Sequence, residues 1–456
     1  MRTNMSLLKG AQMRLYNSIS KYILQTATFG DQRQELLAKN KLSQRDLWRF
    51  SISGDHAILL MEIDDINKSG FAKEMLRAFE YYKVHGMVLD LVFVNDVPGE
   101  EHDGLTHFIR NMANTEHLWA SHEQVGQVFV IDGKNLSDDE RILLRTVARV
   151  SFNCHERIEQ QLQRLETANQ HYQDKVEYPV LKPSAHLHIW SSLDFYNQYG
   201  GFDNVGHDYV VTNTNTPMPW INVIANPQFG CIVSSTMAGF TFAHNAQQFK
   251  LTGWSNDIVR DNASEMLLIN KQQFVPATAR HGQGFSSFDA QYDEFDVKAR
   301  VFVSSERMEK YYQIKIENKT YDDLDLQLDM VYKLVLGTSE ENTARYIYSE
   351  WDEATHSILA RNVYHDLYRN TRVQLTAVTD GVDNAPYDYS LKYPNRKRLG
   401  MRVHVPAKGQ RVLAFVIAVL DDMETAPGTF TLDAINKEYD AVIRYWDDKL
   451  SGLEVE

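Results

Sequence analysis

The chain has 456 residues, a formal net charge of −14, 43% hydrophobic residues and 24% charged ones. That length admits two or three domains with sizeable cores. The acidity excludes nucleic-acid binding driven by phosphate contacts and a basic membrane-surface patch, and it leaves a neutral ligand such as a sugar. The first residues, Met1-Arg-Thr-Asn-Met-Ser-Leu-Leu-Lys9, lack the apolar core of a signal peptide. The longest apolar run, Val412–Leu420, is too short to span a bilayer. Cys154 and Cys231 lie far apart without metal-ligand spacing and read as buried thiols of a reducing compartment. The expectation is a cytoplasmic protein.

Residues 1–180 read as a mixed α/β and helical domain. Ile58–Ile63, Val88–Val94 and Val128–Ile131 are short apolar runs with the character of buried strands. Phe71–Tyr82 places Phe71, Met75, Leu76 and Phe79 at helical spacing. Ser137 with Glu140 forms a capping box and opens a helix that is expected to end near Phe152. A polar helix from Ile158 to Asp174 leads into a proline-bounded linker, Tyr178–Pro183. Strands alternating with helices imply a small α/β unit.

Residues 184–428 change texture. Lys298–Val303, Tyr311–Glu317, Leu324–Tyr332 and Arg411–Ile417 are strand-like runs separated by turn residues. In the third, Leu324, Leu326, Leu328 and Met330 alternate with Asp325, Gln327 and Asp329, the pattern of an antiparallel strand wet on one side. Many such strands predict a large two-sheet sandwich. Thr431–Leu450, within a linker segment 429–456, is helical in pattern. The fold class expected is α+β and multidomain.

Several segments carry candidate chemistry. In Ile52–Leu60, Gly54 permits a tight turn and Asp55 can bond local backbone N–H groups. Phe195–Asp203 sets two glycines among aromatics that suit packing or a sugar face. Asn222 and Asn226, within Trp220–Pro227, suit sugar hydroxyls and equally the buried backbone at a strand end. Trp254 with Asn256 and Asp257 suits a sugar-contact set, with Asp257 discounted as a general acid. In Arg280-His-Gly-Gln-Gly-Phe285 the two glycines flanking Gln283 allow close backbone approach, and His281 sits in the same turn. Arg345 offers the fixed fork of donors that suits hydroxyl groups. His102, His107, His117 and His122 cluster loosely among acidic residues and read as a solvated polar stretch. No phosphate loop, zinc motif or nucleophile elbow is present, so no metal site and no cofactor is expected.

Taken in order, Thr216–Gly230, Leu251-Thr-Gly-Trp-Ser-Asn-Asp257, Arg280–Phe285 and Arg345 resemble the sugar-binding sandwich of family 94 glycoside hydrolases, the inverting glycoside phosphorylases, and above all those that handle β-1,2-glucans, including the phosphorylase region of cyclic β-1,2-glucan synthase. Gly253 stands where the family carries Pro, and Ala344 where cellobiose-type relatives carry Gln before the Arg. The resemblance implies a galactose-mutarotase-like supersandwich that buttresses an (α/α)6 barrel. In such enzymes inorganic phosphate, the co-substrate, attacks the anomeric carbon while a barrel Asp protonates the leaving oxygen. No residue here matches that acid, so the resemblance assigns no catalytic residue. It implies substrate contacts at Arg345, Trp254, Asn256, His281 and Gln283. The expected partners are a β-glucan or gluco-oligosaccharide, a separate chain carrying the barrel, and a second copy in a homo-oligomer. Three functions follow: the non-catalytic, carbohydrate-binding fragment of a phosphorylase; a stand-alone sugar-binding or scaffold module; and a glycosidase using Asp257 with a second carboxylate.

Overall fold

The computed structural model describes residues 10–24, 31–115, 126–170, 178–184, 193–203, 208–253, 264–380, 387–391 and 395–452. The chain divides into two compact units, residues 1–174 with 363–369, and residues 175–362 with 370–456.

The first unit is built on a parallel sheet of β1 (Ala57–Ile63), β2 (Leu89–Asn95), β3 (Val128–Asp132) and β4 (Ala148–Asn153), in the order β3-β2-β1-β4. The apolar runs form strands because both faces are covered. Leu59, Met61, Leu91, Phe93, Val150 and Phe152 face one core with the helices Gly10–Leu24, Ser69–Val84, Glu101–Thr115 and Ile158–Gln170. Ile58, Leu60, Val92, Val94 and Ala148 face the other with the Asp138–Val147 helix. The capping box is present: Ser137 Oγ accepts from Glu140 N, and Ser137 N donates to Glu140 Oε2 at 2.8 Å.

The expected helix from Ser137 to Phe152 is corrected. It stops at Val147, and Ala148–Asn153 pairs parallel with β1. Its burial alternates residue by residue, a period of two that the preceding helical pattern masks. Gly54 makes its turn at φ +82°, where a Cβ would stand 2.9 Å from the Tyr364 hydroxyl. Asp55 takes a side-chain partner, Gln44 Nε2 at 3.2 Å. His102, expected in solvent, turns inward to 3.1 Å from Asp132. His117 and His122 lie outside the described residues.

Among the described residues the second unit is a sandwich of two ten-stranded sheets. Neighbouring strands are antiparallel, except that Val180–Leu181, inside the expected linker, runs parallel to Gln272–Phe274. Gln410–Leu420 is buried on both sides. Phe415 and Ile417 are core residues, whereas Ala414, Val416 and Ala418 lie under the C-terminal helix Leu432–Leu450. That double covering explains its unbroken apolar run. Asp329, on the side of its strand expected to be wet, is 2% exposed because Arg398 covers it at 2.7 Å. A buried ion pair joins the two sheets, Glu265 from the Glu265–Ile269 strand of one and Lys310 from the Glu309–Asn318 strand of the other, 2.5 Å apart.

Candidate functional site

The site begins with one stripe on the C-terminal helix. Ile435, Tyr439, Val442 and Trp446 fall at intervals of four, three and four residues, so they share a face. That face packs on Phe302, Tyr311, Ala414, Val416 and Ala418. Polar contacts fix its register: the Arg300 guanidinium lies 3.9 Å over the Tyr439 ring, and Ser304 Oγ donates to Glu438 Oε1 at 2.6 Å. Trp446, at the end of the stripe, is thereby set against the hairpin turn that joins Thr278–His281 to Phe285–Gln291.

That turn is tightly specified. Gly282 N donates to Phe285 O at 3.0 Å. Asn222, from the strand Ile221–Ala225, donates from Nδ2 to the carbonyls of Gly282 and Phe285, each at 2.9 Å. Arg280, at its entry, pairs with Asp203 at 2.5 Å and Asp208 at 3.4 Å. Gly284 lies at φ +81°, and a Cβ there would stand 2.3 Å from both Cδ1 and Nε1 of Trp446. Gly284→Ala is therefore expected to destabilise the sandwich by about 1–3 kcal/mol, through left-handed strain and collision with the indole. Adding Trp446→Ala removes the collision and leaves the strain. Chemical denaturation of the single and double variants should show partial recovery; strictly additive losses would contradict this packing.

The turn and helix border a concavity of about 370 Å³. Trp446, Phe202, Tyr209 and Val223 supply apolar faces, and Asn222, His281 and Gln283 supply polar ones. Phe202 and Tyr209 meet edge to face at 5.0 Å. Gln283 stands exposed at the tip of the turn, with no side-chain partner among the described residues. Burial pushes the His281 imidazole down to about 4, against the opposing pull of the Trp220 backbone. Nδ1 lies 2.9 Å from Ser286 Oγ. The ring is thus neutral near pH 7, and the whole lining is uncharged.

Of the residues singled out in the sequence, His281, Gln283 and Asn222 come together. Asn222 spends its amide on the turn carbonyls, and Asn226 holds the carbonyls of Ser304 and Arg307 at 2.8 and 2.9 Å. Arg345 lies elsewhere, in the turn Ala344–Tyr346, 2% exposed, with its guanidinium 5.3 Å from the Tyr346 ring centre. Trp254, Asn256 and Asp257 lie outside the described residues. Trp446 was missed, although its place in the helical stripe was the signal that could have found it.

Residues 207–390 match the family model "Glycosyl hydrolase 94, supersandwich domain". The cyclic beta-(1,2)-glucan synthase NdvB of Rhizobium meliloti (strain 1021) is 30% identical over 352 residues, covering 71% of this chain and 12% of that protein. The N,N'-diacetylchitobiose phosphorylase of Vibrio furnissii is 21% identical over 194 residues, covering 38% of this chain and 24% of that protein. The chain therefore spans only a small part of these relatives. Among solved structures, a galactose mutarotase-like protein from Lactobacillus casei ATCC 334 aligns over 44% of this chain and 100% of its own, with 8% identity and a TM-score of 0.29. Over residues 207–390 the chain carries the supersandwich domain of glycosyl hydrolase family 94.

Proposed function

We propose that the sandwich is the carbohydrate-binding, non-catalytic portion of a β-1,2-glucan-active glycoside phosphorylase, and that the Trp446–His281–Gln283 concavity holds a glucosyl unit. The observation that carries this reading is the uncharged lining: an indole and other apolar faces beside the exposed Gln283 amide. The neutral His281 imidazole adds no charge, while its own nitrogens are turned to Ser286 and the interior. Apolar sugar C–H faces pack on aromatic rings, and hydroxyl groups pair with neutral donors and acceptors. An inverting glycoside cleavage needs an acid opposite the attacking oxygen, and no carboxylate lines this concavity among the described residues. One relative is named a cyclic beta-(1,2)-glucan synthase and the other a phosphorylase of N,N'-diacetylchitobiose, and the higher identity of the first favours a β-1,2-glucan here. In this reading phosphate attack occurs on an (α/α)6 barrel, and Trp254 and Asn256 add further substrate contacts. Arg345, buried at 2% exposure away from the concavity, is corrected from a substrate contact to a structural residue. Among the described residues no helix is long and apolar enough to cross a membrane. Two buried free thiols suit the reducing cytoplasm.

The test is calorimetric titration of the chain with sophorose and longer β-1,2-gluco-oligosaccharides. Binding is expected, with Trp446→Ala and Gln283→Ala each weakening it about tenfold, the loss of roughly 1.4 kcal/mol. Absence of binding at millimolar sugar, or binding indifferent to both substitutions, would remove this site from the reading. Phosphate release from α-glucose 1-phosphate with sophorose as acceptor, assayed with the chain alone, is expected to be nil.

A further inference from the structure

We infer that the first unit holds a site for a divalent cation of the zinc type, formed by Asp64, Cys154 and His155. The three side chains come from two segments 90 residues apart in the chain. Asp64 follows β1, and Cys154 and His155 follow β4. Cys154 Sγ lies 3.2 Å from Asp64 Oδ1, and His155 Nε2 lies 3.0 Å from Asp64 Oδ2. One ligand atom from each of the three lies within 4.8 Å of the other two.

The topology explains why they meet. The chain runs outward from β1 through β2 to β3, then crosses back to lay β4 on the opposite side of β1. In an open parallel sheet this reversal parts the loops at the carboxyl ends of the two strands and leaves a crevice there. The same two loops border a concavity of about 490 Å³, lined by Asn67 and Lys68 after β1 and by Arg157 and Ile158 after β4.

The ligand set is chemically specific. A thiolate, an imidazole and a carboxylate are the mixed soft and borderline donors that zinc accepts, whereas calcium and magnesium take oxygen alone. Tetrahedral zinc bonds of ordinary length separate such donors by roughly 3.4–3.6 Å. Asp64 meets the thiol and the imidazole through different oxygens, and one ligand atom from each residue lies within 4.8 Å of the others, so side-chain rotations of about an ångström bring them to that spacing. Three protein ligands leave a fourth position, and the side chains of Asp64 and His155 are 47% and 64% exposed, which gives it access to water. The thiol is 1% exposed and forms the floor of the site.

The supporting shell is organised before any ion arrives. Gln161, itself buried, accepts from Asn153 N at 3.1 Å and donates to the carbonyls of Asn153 and Glu156, each at 2.9 Å. Asn153 Oδ1 accepts from His155 N at 3.0 Å. The loop that carries the thiol and imidazole is therefore pinned at both ends, the arrangement that orients metal ligands.

The experiment uses the whole chain, stripped with chelator and titrated with Zn²⁺ by calorimetry and with Co²⁺ by absorption. One equivalent of zinc is expected to bind tighter than about 10 μM. Cobalt should give intense visible bands of a tetrahedral site and a near-ultraviolet thiolate charge-transfer band. Cys154→Ser should abolish that band, while Cys231→Ser leaves it intact. His155→Ala and Asp64→Asn, at exposed side chains, should each weaken zinc binding about tenfold or more, with circular dichroism and thermal midpoint showing an intact fold. No stoichiometric binding, a charge-transfer band that survives Cys154→Ser, or affinities unchanged in His155→Ala and Asp64→Asn would overturn the assignment.

Discussion

Lys310→Met is expected to destabilise the sandwich by about 3–5 kcal/mol, because it strands a carboxylate between the two sheets. Glu265 and Lys310 are both fully buried, and their charged ends lie 2.5 Å apart. Glu265 is otherwise well satisfied. Thr241 Oγ1 and Thr252 Oγ1 each donate to Oε1 at 2.6 Å, and the Tyr312 hydroxyl donates to Oε2. Burial alone would push this carboxyl up, but Lys310 and the hydroxyl donors hold it below the usual carboxylate range. Lys310 also donates to Thr241 Oγ1 at 3.2 Å. Loss of the ammonium leaves the hydroxyl donors without the charge that offsets desolvation. Glu265 would then take up a proton or the sheets would part.

The companion variant separates pairing from packing. In Lys310→Met/Glu265→Gln neither charge remains, and replacing a whole buried pair costs far less than halving it. Recovery of most of the lost stability is therefore expected. The readout is denaturant-dependent modification of the Cys231 thiol in a Cys154→Ser background. Cys231 is fully buried in the sandwich, and its thiol is pushed up to about 11 by burial, so it reports the opening of that unit. A single-variant loss below about 1 kcal/mol would mean that the network relaxes around the missing charge and does not join the sheets.

This network was invisible in the sequence, whereas much of the strand pattern was legible. Leu324–Tyr332 announced its faces by alternation, and the strand Leu324–Gly337 contains it. Phe71–Tyr82 lies within the Ser69–Val84 helix. Local periodicity records which face an element buries, and that is a property of neighbouring residues. Glu265 and Lys310 each read alone as an ordinary polar residue at the start of a strand, and only strand pairing across the chain brings them together. The same holds for Asp64 with Cys154 and His155: the topological crossing joins them, and no motif spacing could. Ala148–Asn153 failed for another reason. It follows a strong helix without a break, and its pairing with β1 overrides the continued helical reading. At the concavity, His281 and Gln283 were legible because glycines mark a tight turn. Trp446 read only as one position of an amphipathic helix until the face that helix buries was known.

Acidification should weaken the sandwich through His281, by an amount on the order of 3 kcal/mol once pH falls below about 4. The imidazole Nε2 is shielded from solvent, and Phe288 packs edge on against the ring at 6.5 Å. Burial depresses the folded pKa to about 4 from the ordinary 6.5. Between those values the unfolded chain binds a proton that the folded chain refuses. Protons therefore favour the unfolded state in this window, and stability falls as pH drops from about 6.5 to 4 and is fully present above it. Carboxylates titrate over part of the same range, so the comparison is with His281→Asn, which keeps a polar side chain but removes the titration. The gap between the two stability curves should change by about 2 kcal/mol between pH 7 and pH 5, in the direction that favours the variant at low pH. The imidazole carbon-bound proton resonances should show no titration above pH 5. Parallel curves, or a ring that titrates near its ordinary value, would mean that solvent reaches His281, and the uncharged character of the concavity would then hold only above neutral pH.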